Sequence, residues 1–255
     1  MLMLIAPSKT QHLPVDSWKK TTLPDLLPEG EILIEILKEY SVEELGRLMK
    51  MSAFLAVKTF ERIHAFQTPF TLQNAKQALA VFQGDVYSRI ESESYTEKQQ
   101  DYLQQHLRIL SGLYGVLRPM DLMQTYRLEM GCKLPGSRGK NLYEFWGNLV
   151  TELLNTTLAG HKEAVLVNLA SVEYIRVVRK KILQGQILQI DFKEQQGDKC
   201  KTVAIHAKRA RGMMVDFAVK ENIELVKDLQ GFQREGYRYQ KALSTEMHYV
   251  FTRKV

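Results

Sequence analysis

Three groups of polar residues follow apolar runs that read as strands. Lys9 stands just past "MLMLIA". Asn168, Ser171, Glu173 and Tyr174 follow "AVLV". Lys208, Arg209 and Arg211 follow "TVAIHA". In α/β sheets, ligands collect beyond the carboxyl ends of strands, where side chains and helix N-termini converge. Parallel neighbouring strands would merge the three groups into one basic site; singly, each reads equally well as a solvated loop. The run "HAKRARG" sets three cations at an expected helix start, against the helix dipole. A bound anion would offset them, with backbone N–H groups helping to hold phosphate; a solvated charged face is the plainer account. If the site is catalytic, Lys9 is the nucleophile or charge stabiliser, and Asp85, Glu173 or Glu235 the acid or base. Asp85 sits in "GDVY", where a Gly-Asp turn can present a carboxylate and a helix-capping role fits as well.

A second stretch, "RILSGLYGVLRPMDLMQTYRLEMG" from Arg108 to Gly131, packs arginines, glycines and carboxylates between apolar residues. An apolar stripe, Leu103, Leu107 and Leu110, predicts a helix ending at Gly112, and Pro119 permits a new helix start. Helix, glycine hairpin and helix together can grip a nucleic-acid backbone, because glycines let exposed N–H groups reach phosphate oxygens. Here Gly112, Tyr114 and Gly115 would form the hairpin, with Arg108, Arg118 and Arg127 adding charge. Two residues separate the glycines, where the usual hairpin has one. The alternative is a tight turn whose arginines pair with Asp121 and Glu129. Tyr114 and Tyr126 could stack on unpaired bases.

The remaining chemistry is sparse. The six histidines show no ligand spacing, Cys132 and Cys200 match no metal or redox pattern, and no HExxH, P-loop or GxGxxG occurs. No metal site and no cofactor are expected. The net charge of +6 raises the odds of an anionic partner only slightly. No apolar run approaches the roughly 20 residues of a membrane span. The N-terminal run lacks a basic leader, so a cytoplasmic protein is expected, and a monomer.

These residues need elements to position them. The 255 residues suffice for one large domain or two small ones. Met1–Ala6 reads as a buried strand and Gln11–Gly30 as an extended wrapping segment. Helical periodicity starts near Glu31. Ser41–Glu44 and Thr96–Gln99 are capping boxes; Ala53–Phe66 and Thr71–Phe82 read as helices. "LYEFWGNLVTELLNTTLAG" is a further helix, "EAVLVNLAS" a strand covered on both faces. "GQILQIDFKE" and "KCKTVAIHAK" flank "QQGD" as a hairpin, Arg209–Asn222 is a helix and "MHYVFTRKV" a last strand. The N-terminal strand must pair with strands of the C-terminal half. The expectation is therefore one interleaved α/β domain over 1–255, with a mixed β-sheet and surrounding helices. Helices dominate about 31–160, and strands dominate 1–10 together with 161–255.

The chain resembles the YaaA family, bacterial proteins associated with resistance to hydrogen peroxide. The likeness runs through "APSKT", "FQGDVY", "LRILSGLYGVLRPMDLMQTYRLEMG", "LYEFWG", "VNLAS", "AKRARG" and "FQREGY", the last adding Glu235 and Tyr237 to the cleft candidates. The family's opening motif usually reads Ser-Pro-Ala-Lys-Thr; here Ala6 and Ser8 exchange the small residues and Lys9 stays. The resemblance implies a cytoplasmic protein that limits iron-dependent oxidative damage. It also implies DNA binding through a positively charged groove and a helix-hairpin-helix-like element, which would fall on Arg108–Gly131. The alternative carried forward is an enzyme acting on DNA bases or nucleotides at Lys9.

Overall fold

A computed structural model describes residues 1–14, 18, 20–197 and 199–254. The chain opens with β1 (Leu2–Ile5), buried throughout. α1 (Leu27–Lys38) has proline in its first turn. α2 (Val42–Leu48) starts at a complete capping box: Glu44 N–H donates to Ser41 Oγ at 3.3 Å, and Ser41 N–H to the Glu44 carboxylate at 2.8 Å. α3 (Ala53–His64) is capped by Ser52. The short β2 (Lys76–Gln77) and α4 (Ala78–Val81) precede α5 (Glu97–His106), which starts at the Thr96–Gln99 box. Then come β3 (Leu107–Ser111), β4 (Gly115–Leu117), β5 (Leu122–Met123), α6 (Leu142–Trp146) and α7 (Leu149–Leu158). The last third holds β6 (Val165–Asn168), α8 (Val172–Ile175), β7 (Gln186–Gln196), β8 (Lys199–Lys201), α9 (Ala204–Lys220), β9 (Arg238–Tyr239) and β10 (His248–Lys254).

Among the described residues, eight strands form one mixed sheet in the order β4-β3-β1-β6-β7-β10-β9, with β8 also on β7. The five strands from β3 to β10 in that order are mutually parallel; β4, β8 and β9 run antiparallel at the margins. β1 is the central tie: Leu4 lies opposite Arg108 on β3 and Asn168 on β6. The fold is α/β with a mixed sheet and surrounding helices, as expected. No helix among the described residues is long and apolar enough to cross a membrane.

Several boundaries differ from the sequence expectation, each for a physical reason. α1 begins at Leu27, inside the segment expected to be extended, whose positions 15–17 and 19 lie outside the described residues. Thr71–Phe82 is no long helix: Lys76–Gln77 pairs with β5, leaving one turn for α4. The helix before Gly112 stops at His106. Leu107–Ser111 is instead a strand buried on both faces, a pattern that periodicity cannot separate from a buried helix. Gly147 (φ 49°) divides α6 from α7. Of "KCKTVAIHAK" only Lys199–Lys201 pairs with β7, and α9 begins at Ala204. Asp198 of the "QQGD" turn and Val255 of the last strand lie outside the described residues.

α9 packs against the chain at Val86–Arg89. A Cβ on Gly212 would stand 2.0 Å from the Val86 carbonyl oxygen, so only glycine permits that approach. One turn on, Asp216 is fully buried. It accepts from Tyr95 Oη at 2.6 Å and from Glu91 N–H at 3.1 Å, and pairs with Arg234 at 2.8 Å and Lys220 at 3.2 Å. Burial alone would raise its pKa; the Tyr95 hydroxyl, the Glu91 N–H and the Lys220 ammonium outweigh burial and hold it below the usual range. A lowered native pKa stabilises the fold above the unfolded value, about 3.9, and that contribution fades as pH falls through the native value. Asp216→Asn is therefore expected to lose about 3 kcal/mol near neutrality. Urea melts at successive pH values should show wild type and variant converging in acid; a constant gap would refute the assignment to charge.

Candidate functional site

The loop after β1 is pinned on three sides. Tyr87 Oη donates to the Ala6 carbonyl at 2.8 Å, fixing the strand exit. Ser8 Oγ accepts the Thr10 N–H at 3.1 Å. The Gln11 side chain donates to the Ser8 carbonyl at 3.2 Å, and its oxygen accepts the Tyr126 N–H at 2.8 Å. That pair of hydrogen bonds from Gln11 holds Lys9 beside the segment Tyr126–Met130. In this segment Tyr126, Leu128 and Met130 are buried, which turns the alternate residues Arg127 and Glu129 outward.

The result is a Lys9–Glu129–Arg127 cluster. Lys9 Nζ lies 2.7 Å from Glu129 Oε1, and an Arg127 terminal nitrogen lies 3.4 Å from the same oxygen. Lys9 is 62% exposed and Arg127 only 18%. Arg127 Nε is buried with no hydrogen-bond partner among the described residues. Glu173, from α8, accepts the Gly131 N–H at 2.9 Å, and Tyr143 Oη anchors its carbonyl at 2.9 Å. The Arg176 guanidinium stacks over Tyr143 at 4.7 Å.

These groups line two adjoining hollows. The inner one encloses about 70 Å³ between Ser8, Lys9, Gln11, Tyr126, Glu129 and Tyr174, with Arg127 and Glu173 on its wall. Arg127, Glu129 and Glu173 also border an outer cleft of about 520 Å³, completed by Arg47, Leu48, Met49, Lys50, Cys132 and Lys133. Burial keeps the Tyr126 and Tyr174 phenols far above their usual range. Burial, with Glu129 nearby, pushes the Cys132 thiol up to about 11.

The structure thus unites Lys9, Arg127, Glu129, Glu173 and Tyr174. Other expected site residues lie elsewhere. Arg108 is buried and donates to the Gln104 and Leu107 carbonyls. Arg118 binds Asp121 at 3.0 Å, Asp25 at 3.2 Å and the Leu23 carbonyl. Arg108 lies near the start of β3 and Arg118 just past the end of β4, which runs back antiparallel beside β3, and neither lines the Lys9 hollows. Asp121 is itself buried and holds Thr22.

Arg108–Gly131 is a buried β-hairpin followed by extended chain, not a helix-hairpin-helix. Gly112 and Gly115 are enclosed, and Tyr114 is wholly buried with its hydroxyl on the Gln124 carbonyl, so it has no face for a base. Tyr126 is likewise buried, bonded to Ser111 Oγ at 2.7 Å. Asn168 ties Gln189 to the Ala170 N–H, and Ser171 starts α8 without a side-chain cap.

Lys208, Arg209 and Arg211 lie inside α9 and not at its start, so they meet no N-terminal anion pocket. Arg209 pairs with Asp85 at 3.1 Å. Burial lowers the Arg211 pKa despite the charge of Asp191. Glu235 binds Arg89 and Arg253, whose guanidinium covers Tyr237 at 4.9 Å. Sequence reasoning missed Arg47, Lys50 and Lys133. Their local pattern is that of ordinary exposed cations, and the fold brings them to the cleft bordered by Arg127, Glu129 and Glu173.

Known proteins match this chain along nearly its whole length. A family described as peroxide stress protein YaaA matches residues 1–243. A UPF0246 protein of Acaryochloris marina (strain MBIC 11017) is 48% identical over 253 residues, which is 99% of this chain and 100% of that protein. A UPF0246 protein of Neisseria gonorrhoeae (strain NCCP11945) is 45% identical over 257 residues, 99% and 98% of the two chains. One of Colwellia psychrerythraea (strain 34H) is 41% identical over 255 residues, 100% and 99%. On these matches over nearly the whole chain, the chain belongs to the YaaA family of peroxide stress proteins.

Proposed function

We propose that the protein shields DNA during peroxide stress by binding it, in distorted or open form, at the Lys9 rim. One observation carries the reading: Lys9 and Arg127 share Glu129 at the inner hollow, and Arg127 and Glu129 also border an outer cleft that presents Arg47, Lys50 and Lys133, none of which has an ion-pair partner among the described residues. Such a rim of cations suits a phosphate backbone. DNA under this cover would be screened from radicals made by iron and peroxide. That link to iron is indirect and asks for no metal held by the protein itself. The test is a salt titration with bubble and duplex DNA. Binding to bubble DNA should be tighter and should fall steeply with salt; Arg118→Ala, which lines neither hollow and is paired with Asp25 and Asp121, should keep the wild-type slope. A flat salt response would overturn the reading.

A second reading rests on the inner hollow. Two carboxylates beside a lysine, in a space near 70 Å³, exceed what phosphate binding needs. An enzyme acting on DNA bases or nucleotides would use Lys9 as nucleophile and Glu129 or Glu173 as acid or base. If Lys9 condenses with the aldehyde of an abasic sugar, water leaves and an imine forms that borohydride reduces to a stable adduct. Trapping lost in Lys9→Ala would support this reading, and the absence of any adduct or altered DNA product would sink it.

A further inference from the structure

We propose that the outer cleft is a site for a single nucleotide unit, its phosphate held by Arg47, Lys50 and Lys133. The inference deepens the DNA reading and rests on the same cleft, but it concerns which portion of a nucleic acid the protein grips.

Size is the first argument. The outer cleft, about 520 Å³, falls within the range of roughly 300–1,000 Å³ found for small-molecule sites. The inner hollow, about 70 Å³, falls well below that range. The base is therefore placed in the outer cleft, with the edge of the sugar toward the inner hollow.

Chemistry places the three portions of the ligand. Five cations, Lys9, Arg47, Lys50, Arg127 and Lys133, face two carboxylates, Glu129 and Glu173. Glu129 is shared by Lys9 and Arg127, and Glu173 is taken by the Gly131 N–H. Arg47, Lys50 and Lys133 have no carboxylate partner among the described residues, and the Arg127 Nε has no acceptor. One phosphomonoester dianion offsets two of those three surplus charges. Arginine among the donors allows paired hydrogen bonds to phosphate oxygens.

Leu48, Met49 and the buried Cys132 supply an apolar wall for the flat face of a base. The carboxylates of Glu129 and Glu173 border both hollows, where the hydroxyls of a sugar can donate to them. A free phosphate would leave the apolar wall empty, and a nucleoside would leave the cations unmatched. The nucleotide uses all three surfaces.

Isothermal titration of the full chain with a nucleoside 5′-monophosphate, the matching nucleoside and orthophosphate tests this directly. The nucleotide should bind at least about tenfold tighter than either fragment, since each lacks charge-assisted or apolar contacts the other has. Arg47→Ala and Lys133→Ala should each weaken the nucleotide by about tenfold with an unchanged melting temperature, since both side chains are exposed. Orthophosphate binding as tightly as the nucleotide would reduce the cleft to a general anion site and overturn the proposal. So would a silent nucleotide titration. Bubble DNA bound normally beside a silent nucleotide titration would sink this inference and leave the DNA reading standing. Nucleotide binding without DNA binding would do the reverse.

Discussion

Gly112→Ala is expected to cost about 3 kcal/mol or more, which for a chain of this size lowers Tm by roughly 10 °C. A Cβ at this position would stand 2.1 Å from the Leu128 carbonyl oxygen and 2.9 Å from its carbon. Both are backbone atoms, so no side-chain rotation relieves the contact. The Gly112 carbonyl also accepts the indole N–H of the fully buried Trp146 at 3.0 Å, and Leu128 lies in the segment that presents Arg127 and Glu129. The strain has nowhere to go except into the core or the site. Gly160→Ala is the control: its Cβ would meet the Thr157 carbonyl at an ordinary 3.6 Å, and a change within about 0.5 kcal/mol is expected. Thermal melts of the two variants decide the matter. Equal melting temperatures would mean that the Gly112 contact yields cheaply.

The second large effect is on binding. Lys9→Ala combined with Arg127→Ala is expected to weaken bubble-DNA binding by about a hundredfold or more. It should also reduce the slope of log affinity against log salt by roughly two, one for each phosphate no longer neutralised. Two effects add here. The cations disappear, and Glu129, which both of them neutralise, is left facing the phosphate. Glu129→Gln should move the other way, strengthening binding by freeing both cations. Fluorescence anisotropy across a salt series measures all three slopes. An unchanged slope in the double variant would remove the Lys9 rim from the DNA interface.

Much of the frame is legible in the residues. The short apolar runs of β1 and β6, the two capping boxes and the last strand stand out because each is a local signal of burial or of a helix start. Arg108–Gly131 misleads because its strand is buried on both faces and its leucines happen to fall at helical spacing. The glycines that suggest a phosphate grip answer to Leu128, Leu26 and Trp146 instead. Lys9 and Glu173 are legible as polar residues just past strands. Arg127 and Glu129 draw notice by their density, and the alternation from Tyr126 to Met130 is what aims them outward. Arg47, Lys50 and Lys133 carry no such mark. Their place in the cleft beside Arg127 and Glu129 depends on where α2 and the chain after Met130 come to rest, which no window of local sequence records.

β1 sits between β3 and β6, so its neighbours are synthesised long after it. On the ribosome Leu4 must wait for Arg108 and then for Asn168 before both its edges are satisfied. At about 5–20 residues per second, that interval is roughly ten seconds or more. Throughout it, the strand Leu2–Ile5 presents an uncharged, wholly apolar surface to the cell. Closing the sheet around β1 is therefore a long-range step, one that follows synthesis of two thirds of the chain.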